Sequence, residues 1–117
     1  MLKLAPQDSY KRTVKVDVPL DMGRVERQNF VAKFKRLSAS ETRELIEEFQ
    51  SDKGITDEDL MGRYLLDWEG VSDDNGGDVP YTRANLDAMM DIVYVRKALV
   101  NAFVEDVFGK EATRKNS

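Results

Sequence analysis

Hydrophobic and polar residues alternate along the first third of the chain, which is typical of strands with one buried face. In residues 10–18 the side chains of Val14, Val16 and Val18 share one face, and a similar alternation returns in residues 25–34. A short segment containing Pro and Gly joins the two. This arrangement predicts an antiparallel β-hairpin, which must pack on helices or on further strands because a lone hairpin is marginally stable in water.

The hydrophobic period changes to that of a helix at Ser38. Ser38 and Glu41 have the spacing of a capping box, and Gly54 is predicted to end the helix that they begin. Thr56 is predicted to cap a second helix, whose first turn is rich in acidic residues that favour the helix N-terminus. The apolar face predicted for this second helix consists of Leu60, Met61, Tyr64, Leu65 and Trp68.

Residues 70–80 are polar and rich in Gly, and they predict a turn or a small hairpin. Thr82 is predicted to cap a third helix with Leu86 on its apolar face. The apolar stripe then changes phase near residues 92–95, which predicts a break before a last helix that ends at Gly109.

The sequence therefore predicts an α+β fold, with an N-terminal antiparallel β-hairpin followed by about four α-helices. The length of 117 residues suits a single domain spanning 1–117. Residues 1–9 and 110–117 show no periodicity and are predicted to be flexible.

Composition argues against catalysis and against a metal site. The chain has no Cys and no His, so it lacks thiolate nucleophiles, the usual proton-transfer group near neutral pH and the commonest metal ligands. The acidic loop starting at Asp73 fails the calcium-loop pattern, since Gly77, Asp78 and Ala84 stand where a ligand, Gly and Glu are required. We expect no catalytic residues, no bound metal and no cofactor.

Charge is unevenly distributed along the chain. Residues 1–37 hold nine Lys or Arg and four Asp or Glu, a net +5, whereas residues 38–109 hold six and seventeen, a net −11. This asymmetry could guide head-to-tail contact between copies, or it could be a chance feature of a solvated surface. A chain with net charge −4 is not expected to bind nucleic acid, and no apolar run is long enough to span a membrane. A cytoplasmic protein is the default expectation.

The last predicted helix carries more apolar residues than one small domain readily covers. Leu99 and Phe103 are the better candidates for the domain core. The outer edge is predicted to contact a partner or another copy. The residues predicted to bind a partner are Val100, Val104, Val107 and Phe108.

Residues 66–109 resemble the phage tail assembly chaperones of long-tailed phages, in the short form of the siphophage type. The resemblance extends over about three-quarters of the chain. It rests on an N-terminal strand pair, a charged helix over residues 41–49, a tryptophan before a Gly/Asp turn, and a pattern of the form [FY]-[ST]-x-x-N-L. A tyrosine at the start of the last helix also fits, although Val95 stands where the family often has Pro. The matching residues are Trp68, Tyr81, Thr82, Asn85, Leu86 and Tyr94.

This resemblance implies a non-catalytic role in viral morphogenesis. Chaperones of this family bind the tape measure protein, keep its apolar helices soluble and help recruit tail tube subunits, in many cases through a longer form made by ribosomal frameshifting. The implied partners are therefore the tape measure protein and, through a longer form, the tail tube protein, together with self-association. The implied location is the host cytoplasm, with absence from the mature virion.

Two other interpretations stay open at the level of sequence. A small acidic regulatory module, such as a phage-encoded inhibitor, could bind a host protein with its acidic segment in place of phosphates. A minor virion component such as a connector would instead be present in purified particles.

Overall fold

The computed structural model describes residues 1–109 and begins with a long β-hairpin. Strand β1 spans Ser9–Pro19 and strand β2 spans Val25–Lys35. They pair antiparallel in unbroken register over all eleven residues of each strand. The predicted hairpin is confirmed, and each strand is one or two residues longer than the alternation indicated.

Four α-helices follow in the described part of the chain, and the α+β fold class is confirmed. Residues 110–117, which were predicted to be flexible, lie outside the described residues. Within 1–109 no helix is both long enough and apolar enough to cross a membrane. The helices are α1 at Ala39–Gln50, α2 at Asp57–Tyr64, α3 at Arg83–Met90 and α4 at Val93–Phe108.

Side-chain caps begin three of these helices as the sequence predicts. Ser38 Oγ accepts a hydrogen bond from the Glu41 amide at 3.1 Å, and Glu41 Oε1 accepts one from the Ser38 amide at 3.1 Å. The hydroxyls of Thr56 and Thr82 cap α2 and α3 in the same way. The predicted stop at Gly54 is wrong, because α1 ends earlier and the glycine forms a separate turn with φ +62°.

The segment after α2 is a strand, which corrects the predicted long second helix. Strand β3 spans Leu65–Glu69 and pairs antiparallel with β2, giving the sheet order β1-β2-β3. An irregularity between Lys33 and Phe34 shifts the register of this pair. Because of this bulge, Leu65 and Trp68 are both buried although they stand three residues apart, a spacing that imitates a helix.

The helices cover one face of the sheet, and the core lies between them. The inward residues of β1 and β2 are buried, whereas Lys11 and Lys15 on the other face are exposed. Phe103 of α4 is completely buried and lies 5.2 Å from the ring of Phe34 and 5.2 Å from the ring of Tyr64, which is nearly parallel to it. These three rings join the sheet to α2 and α4.

Two predicted irregular regions are also present. Ser72 and Asp78 form an isolated antiparallel bridge, so residues 70–80 contain the expected small hairpin. Asp73 Oδ1 accepts hydrogen bonds from the amides of Asn75 and Gly77, which fixes the turn. The break between the last two helices falls at residues 91–92, which overlaps the predicted interval of 92–95 only at Ile92, and it contains no proline.

Candidate partner-binding surfaces

The predicted outer edge of α4 is partly exposed along its length. Leu99 and Phe103 are completely buried, which confirms their assignment to the core. The side chains predicted to bind a partner have intermediate exposure, and of these only Val104 is not packed against the core cluster. The predicted partner residues on this edge are Val100, Val104, Val107 and Phe108.

Helix α1 adds two exposed apolar side chains to this edge, neither of which was predicted from the sequence to bind a partner. The ring of Phe49, which is 41% exposed, meets the ring of Phe108 edge-on with centroids 6.0 Å apart. Ile46 lies one turn earlier on the same face of α1 and is also exposed, and Val104 lies one turn before Phe108 on α4. We name Ile46, Phe49, Val104 and Phe108 the α1–α4 surface.

Helix α1 is held in place by ion pairs at each end and by one buried side chain between them. Lys35 Nζ lies 2.8 Å from a carboxylate oxygen of Glu41, and Arg63 Nη1 lies 2.8 Å from one of Glu48. Leu45 is the single fully buried residue of the helix. The α1 half of the α1–α4 surface is therefore held by the burial of Leu45, with a smaller contribution from the two exposed ion pairs.

We expect α1 to loosen before the rest of the domain when the pH is lowered. The hydrogen bond from Lys35 lowers the pKa of Glu41, and that from Arg63 lowers the pKa of Glu48. Their stabilisation is therefore complete above the pKa of an unfolded Glu, about 4.3, and is lost as the pH falls through the lower folded values. In hydrogen-exchange measurements at decreasing pH, corrected for intrinsic rates, the backbone amides of α1 should lose their protection first. Simultaneous loss of protection in α1 and α4 would contradict this prediction.

The residues of the family pattern brace the junction between β3 and α3. Trp68 is 5% exposed, and its indole N–H donates to the Val79 carbonyl at 2.8 Å. The Tyr81 ring meets Trp68 edge-on at 5.0 Å, and its hydroxyl donates to the Leu65 carbonyl at 2.6 Å. Burial of this hydroxyl raises the pKa of Tyr81. Trp68 was predicted on the apolar face of a helix, and it is buried as that implies, but on a strand.

The other residues of the family pattern lie at the start of α3, in α3 and at the start of α4. The Thr82 hydroxyl accepts from the Asn85 amide at 3.1 Å, and the Asn85 side-chain amide donates to the Pro80 carbonyl at 2.8 Å. Leu86 is buried in the core. Tyr94 lies partly exposed in the first turn of α4, and it lines the same groove as Trp68 and Asn85.

A groove of about 340 Å³, which no pattern in the sequence predicts, lies beside Tyr94. The far half of the hairpin, residues 70–79, the end of α3 and the start of α4 form its walls. Ile92 lines the groove, and the next residue, Val93, is 77% exposed. Its apolar lining includes Val16, Val18, Phe30, Met89 and Val95.

The turn of the hairpin exposes apolar side chains at the end of the domain. We name residues 20–25 the hairpin tip. Met22 is 95% exposed, and Leu20 and Val25 are exposed as well. Met22 also has φ +62° and ψ 30°, a left-handed conformation that is uncommon for residues other than Gly, Asn and Asp. The sequence pattern did not predict these exposed apolar side chains, because residues in turns are usually polar.

Some basic residues of the N-terminal third form ion pairs with acidic residues of the second half within the same molecule. Arg12 of β1 pairs with Glu105 and Asp106 of α4, and its guanidinium also donates to the Ala102 carbonyl at 3.1 Å. Tyr10 donates to the same Asp106 at 2.9 Å, and burial together with this carboxylate raises the pKa of Tyr10. These basic and acidic groups therefore join β1 to α4 in one molecule.

Other acidic residues of the second half also form ion pairs or accept hydrogen bonds within the domain. Arg96 of α4 pairs with Glu58 of α2, and the Asp73 carboxylate accepts the amides of its own turn. Among residues 1–109 there is no group of three or more acidic side chains placed to hold a metal ion.

Comparison of the chain with family models, curated proteins and solved structures found no match.

Proposed function

We propose that this protein is a non-catalytic phage tail assembly chaperone whose α1–α4 surface binds apolar helices of the tape measure protein. Binding keeps the tape measure protein soluble in the host cytoplasm and helps recruit tail tube subunits, and the chaperone is absent from the finished virion. The observation that supports this most strongly is the contact between Phe49 and Phe108, which brings together partly exposed apolar side chains of two helices.

Two adjacent helix edges suit a helical partner for a physical reason. An amphipathic helix can lay its apolar face against apolar side chains that two helices present together. The remaining surface of α1 is strongly charged, with Glu44 and Glu47 exposed. A complex covered by these carboxylates would stay in solution while the apolar helix is shielded.

The test is co-expression with the tape measure protein. Val104→Glu places a charge on the α1–α4 surface, and loss of one buried apolar contact together with burial of that charge should weaken binding at least tenfold. The fraction of tape measure protein in the soluble phase should fall accordingly. Leu66→Glu is the control, because Leu66 is an exposed apolar residue on β3, outside this surface.

The two variants separate the possible outcomes. Full solubilisation by Val104→Glu would contradict the proposal, and so would an equal loss with Leu66→Glu, since that loss would not be specific to the surface. Detection of the protein in purified particles would favour a connector instead. Capture of a host regulatory protein, abolished by neutralising acidic residues and unaffected by Val104→Glu, would favour the acidic inhibitor.

A further inference from the structure

A second cleft, of about 570 Å³, lies between residues 12–17 of β1 and residues 94–105 of α4. We name it the β1–α4 cleft. We propose that it binds an extended acidic segment of a partner protein, which adds to the sheet as a fourth strand beside β1. This inference does not rest on the proposed function, because no residue that lines the cleft belongs to the α1–α4 surface.

Strand β1 is an edge strand, and its outward backbone groups can be identified from its pairing with β2. At one end of this ladder the Arg36 amide donates to the Asp8 carbonyl, and at the other the Leu20 amide donates to the carbonyl of residue 24, each at 2.8 Å. Bonded pairs alternate along an antiparallel ladder, and this register is unbroken, so the even-numbered residues of β1 bond to β2. The odd-numbered residues therefore turn their N–H and C=O groups toward the open edge.

Lys15 and Asp17 form the open part of this edge. The Thr13 carbonyl already accepts a hydrogen bond from Arg12 Nε at 3.2 Å, so the Arg12 side chain closes one end of the edge. Within residues 1–109 the outward N–H and C=O groups of Lys15 and Asp17 have no hydrogen-bond partner. An added strand can form four hydrogen bonds with these groups, and such main-chain bonds supply the affinity when a peptide extends a sheet.

The charges in the cleft favour an acidic occupant. Lys15 and Lys97 both line the cleft and are exposed, and within the described residues neither forms an ion pair. The carboxylates that line the cleft are already paired with arginines, Asp17 with Arg27 and Glu105 with Arg12. Carboxylates on an incoming strand would therefore meet two unpaired cations.

The positions of the two lysines predict the pattern of acidic residues in the partner. The side chain of Lys15 lies on the face of the sheet that the helices leave uncovered, whereas Lys97 belongs to α4, which covers the opposite face. Successive side chains of a strand point to opposite faces of the sheet. A segment added beside β1 therefore reaches both lysines with two consecutive acidic residues.

A second copy of this chain does not offer such a segment in extended form. Consecutive acidic residues occur at four places in the sequence. Three of them lie within α1, α2 and α4, and the fourth, Asp73 with Asp74, lies in the closed turn of residues 70–80. Direct pairing of two β1 edges would bring together strands that each carry three basic side chains and one acidic side chain, and like charges destabilise cross-strand pairs.

Fluorescence anisotropy with labelled peptides tests the proposal. The probe is an octapeptide of Val and Thr with a central Asp-Glu pair, and the comparison probe carries a Lys-Lys pair in its place. We expect the acidic probe to bind saturably and the basic probe to bind about tenfold more weakly or worse. Acidic probes that are N-methylated at alternate residues should lose binding for one of the two alternations, because methyl groups on that edge prevent donation to β1.

Two substitutions of Asp17 separate the backbone contribution from the charge. Asp17→Pro removes an outward N–H and places a ring in the path of the added strand, and an edge strand tolerates proline at such a position. It should abolish binding of the acidic probe. Asp17→Asn is the matched control, since it removes the same charge and leaves the backbone edge intact, so it should bind the probe at least as tightly as wild type.

A double substitution tests the two lysines. Lys15→Glu with Lys97→Glu should weaken binding of the acidic probe about tenfold or more, because two attractive contacts become repulsive. The control is Arg43→Glu with Lys53→Glu, which changes the net charge equally at two exposed residues outside the cleft. It should change binding by less than about threefold, since exposed charges at a distance are screened by salt.

Several outcomes would overturn the proposal. These are failure of the acidic probe to bind, binding that survives both alternations of N-methylation, and an equal loss with the control pair. Loss of probe binding in Val104→Glu would place the probe on the α1–α4 surface instead. Self-association in sedimentation that Asp17→Pro abolishes would assign the edge to a second copy. Circular dichroism checks folding, and the N-methylated probes supply the backbone test should Asp17→Pro fail to fold.

Discussion

Phe103→Glu should abolish folding of the domain. Phe103 is completely buried, and it packs against the rings of Phe34 and Tyr64 at 5.2 Å from each. Loss of such a ring alone costs about 3–5 kcal/mol, and burial of an unpaired carboxylate adds several more. The sum is comparable to the whole free energy of unfolding of a typical small domain, about 5–15 kcal/mol.

The neighbouring variant Val104→Glu is the control for this prediction. Val104 is partly exposed and is not packed against the core cluster, so a carboxylate there can remain in water. We expect its free energy of unfolding to change by about 1 kcal/mol or less. Urea denaturation followed by circular dichroism measures both values. A Val104→Glu variant as unstable as Phe103→Glu would mean that α4 is central on all sides and that the α1–α4 surface does not exist.

Trp68→Ala should produce the second large loss of stability. The indole is buried between the sheet and Tyr81, and its truncation leaves a cavity beside β3, at a cost of about 3–5 kcal/mol. It also leaves the Val79 carbonyl without its hydrogen bond, which loosens the hairpin of residues 70–80 from the sheet. Thermal denaturation followed by circular dichroism should show a lowered midpoint.

Trp68→Phe separates the hydrogen bond from the packing. Phenylalanine retains most of the apolar contact but cannot donate to Val79, so we expect a loss of about 1–3 kcal/mol. An equal loss in both variants would mean that the hydrogen bond, and not the volume of the ring, determines the stability of this junction. A loss near zero in both would contradict the burial of the indole as a source of stability.

Local patterns in the sequence were sufficient to predict most of the elements. The alternation in residues 10–18 and 25–34 depends only on which face of a strand is buried, so it identified the hairpin. The caps at Ser38, Thr56 and Thr82 could also be predicted, because a cap is formed by residues within three positions of each other. The core positions Leu99 and Phe103 followed from the helical period of α4.

The third strand could not be predicted because its pattern is set by a distant partner. The bulge opposite Lys33 and Phe34 buries Leu65 and Trp68 at a spacing of three, and this spacing has the same appearance as one turn of a helix. Only the pairing with β2, some thirty residues earlier in the chain, distinguishes the two structures. The environment of Trp68 was therefore predicted correctly, while the element that carries it was not.

The candidate binding surfaces divide in the same way. The sequence by itself identified the apolar edge of α4, since a helix with too many apolar residues is visible in the chain. Tertiary structure decided that Phe49 of α1 meets Phe108, that residues from four segments form the groove, and that Met22 projects beyond it. These features depend on contacts between residues far apart in the chain, and hydrophobic periodicity describes only the neighbours along one element.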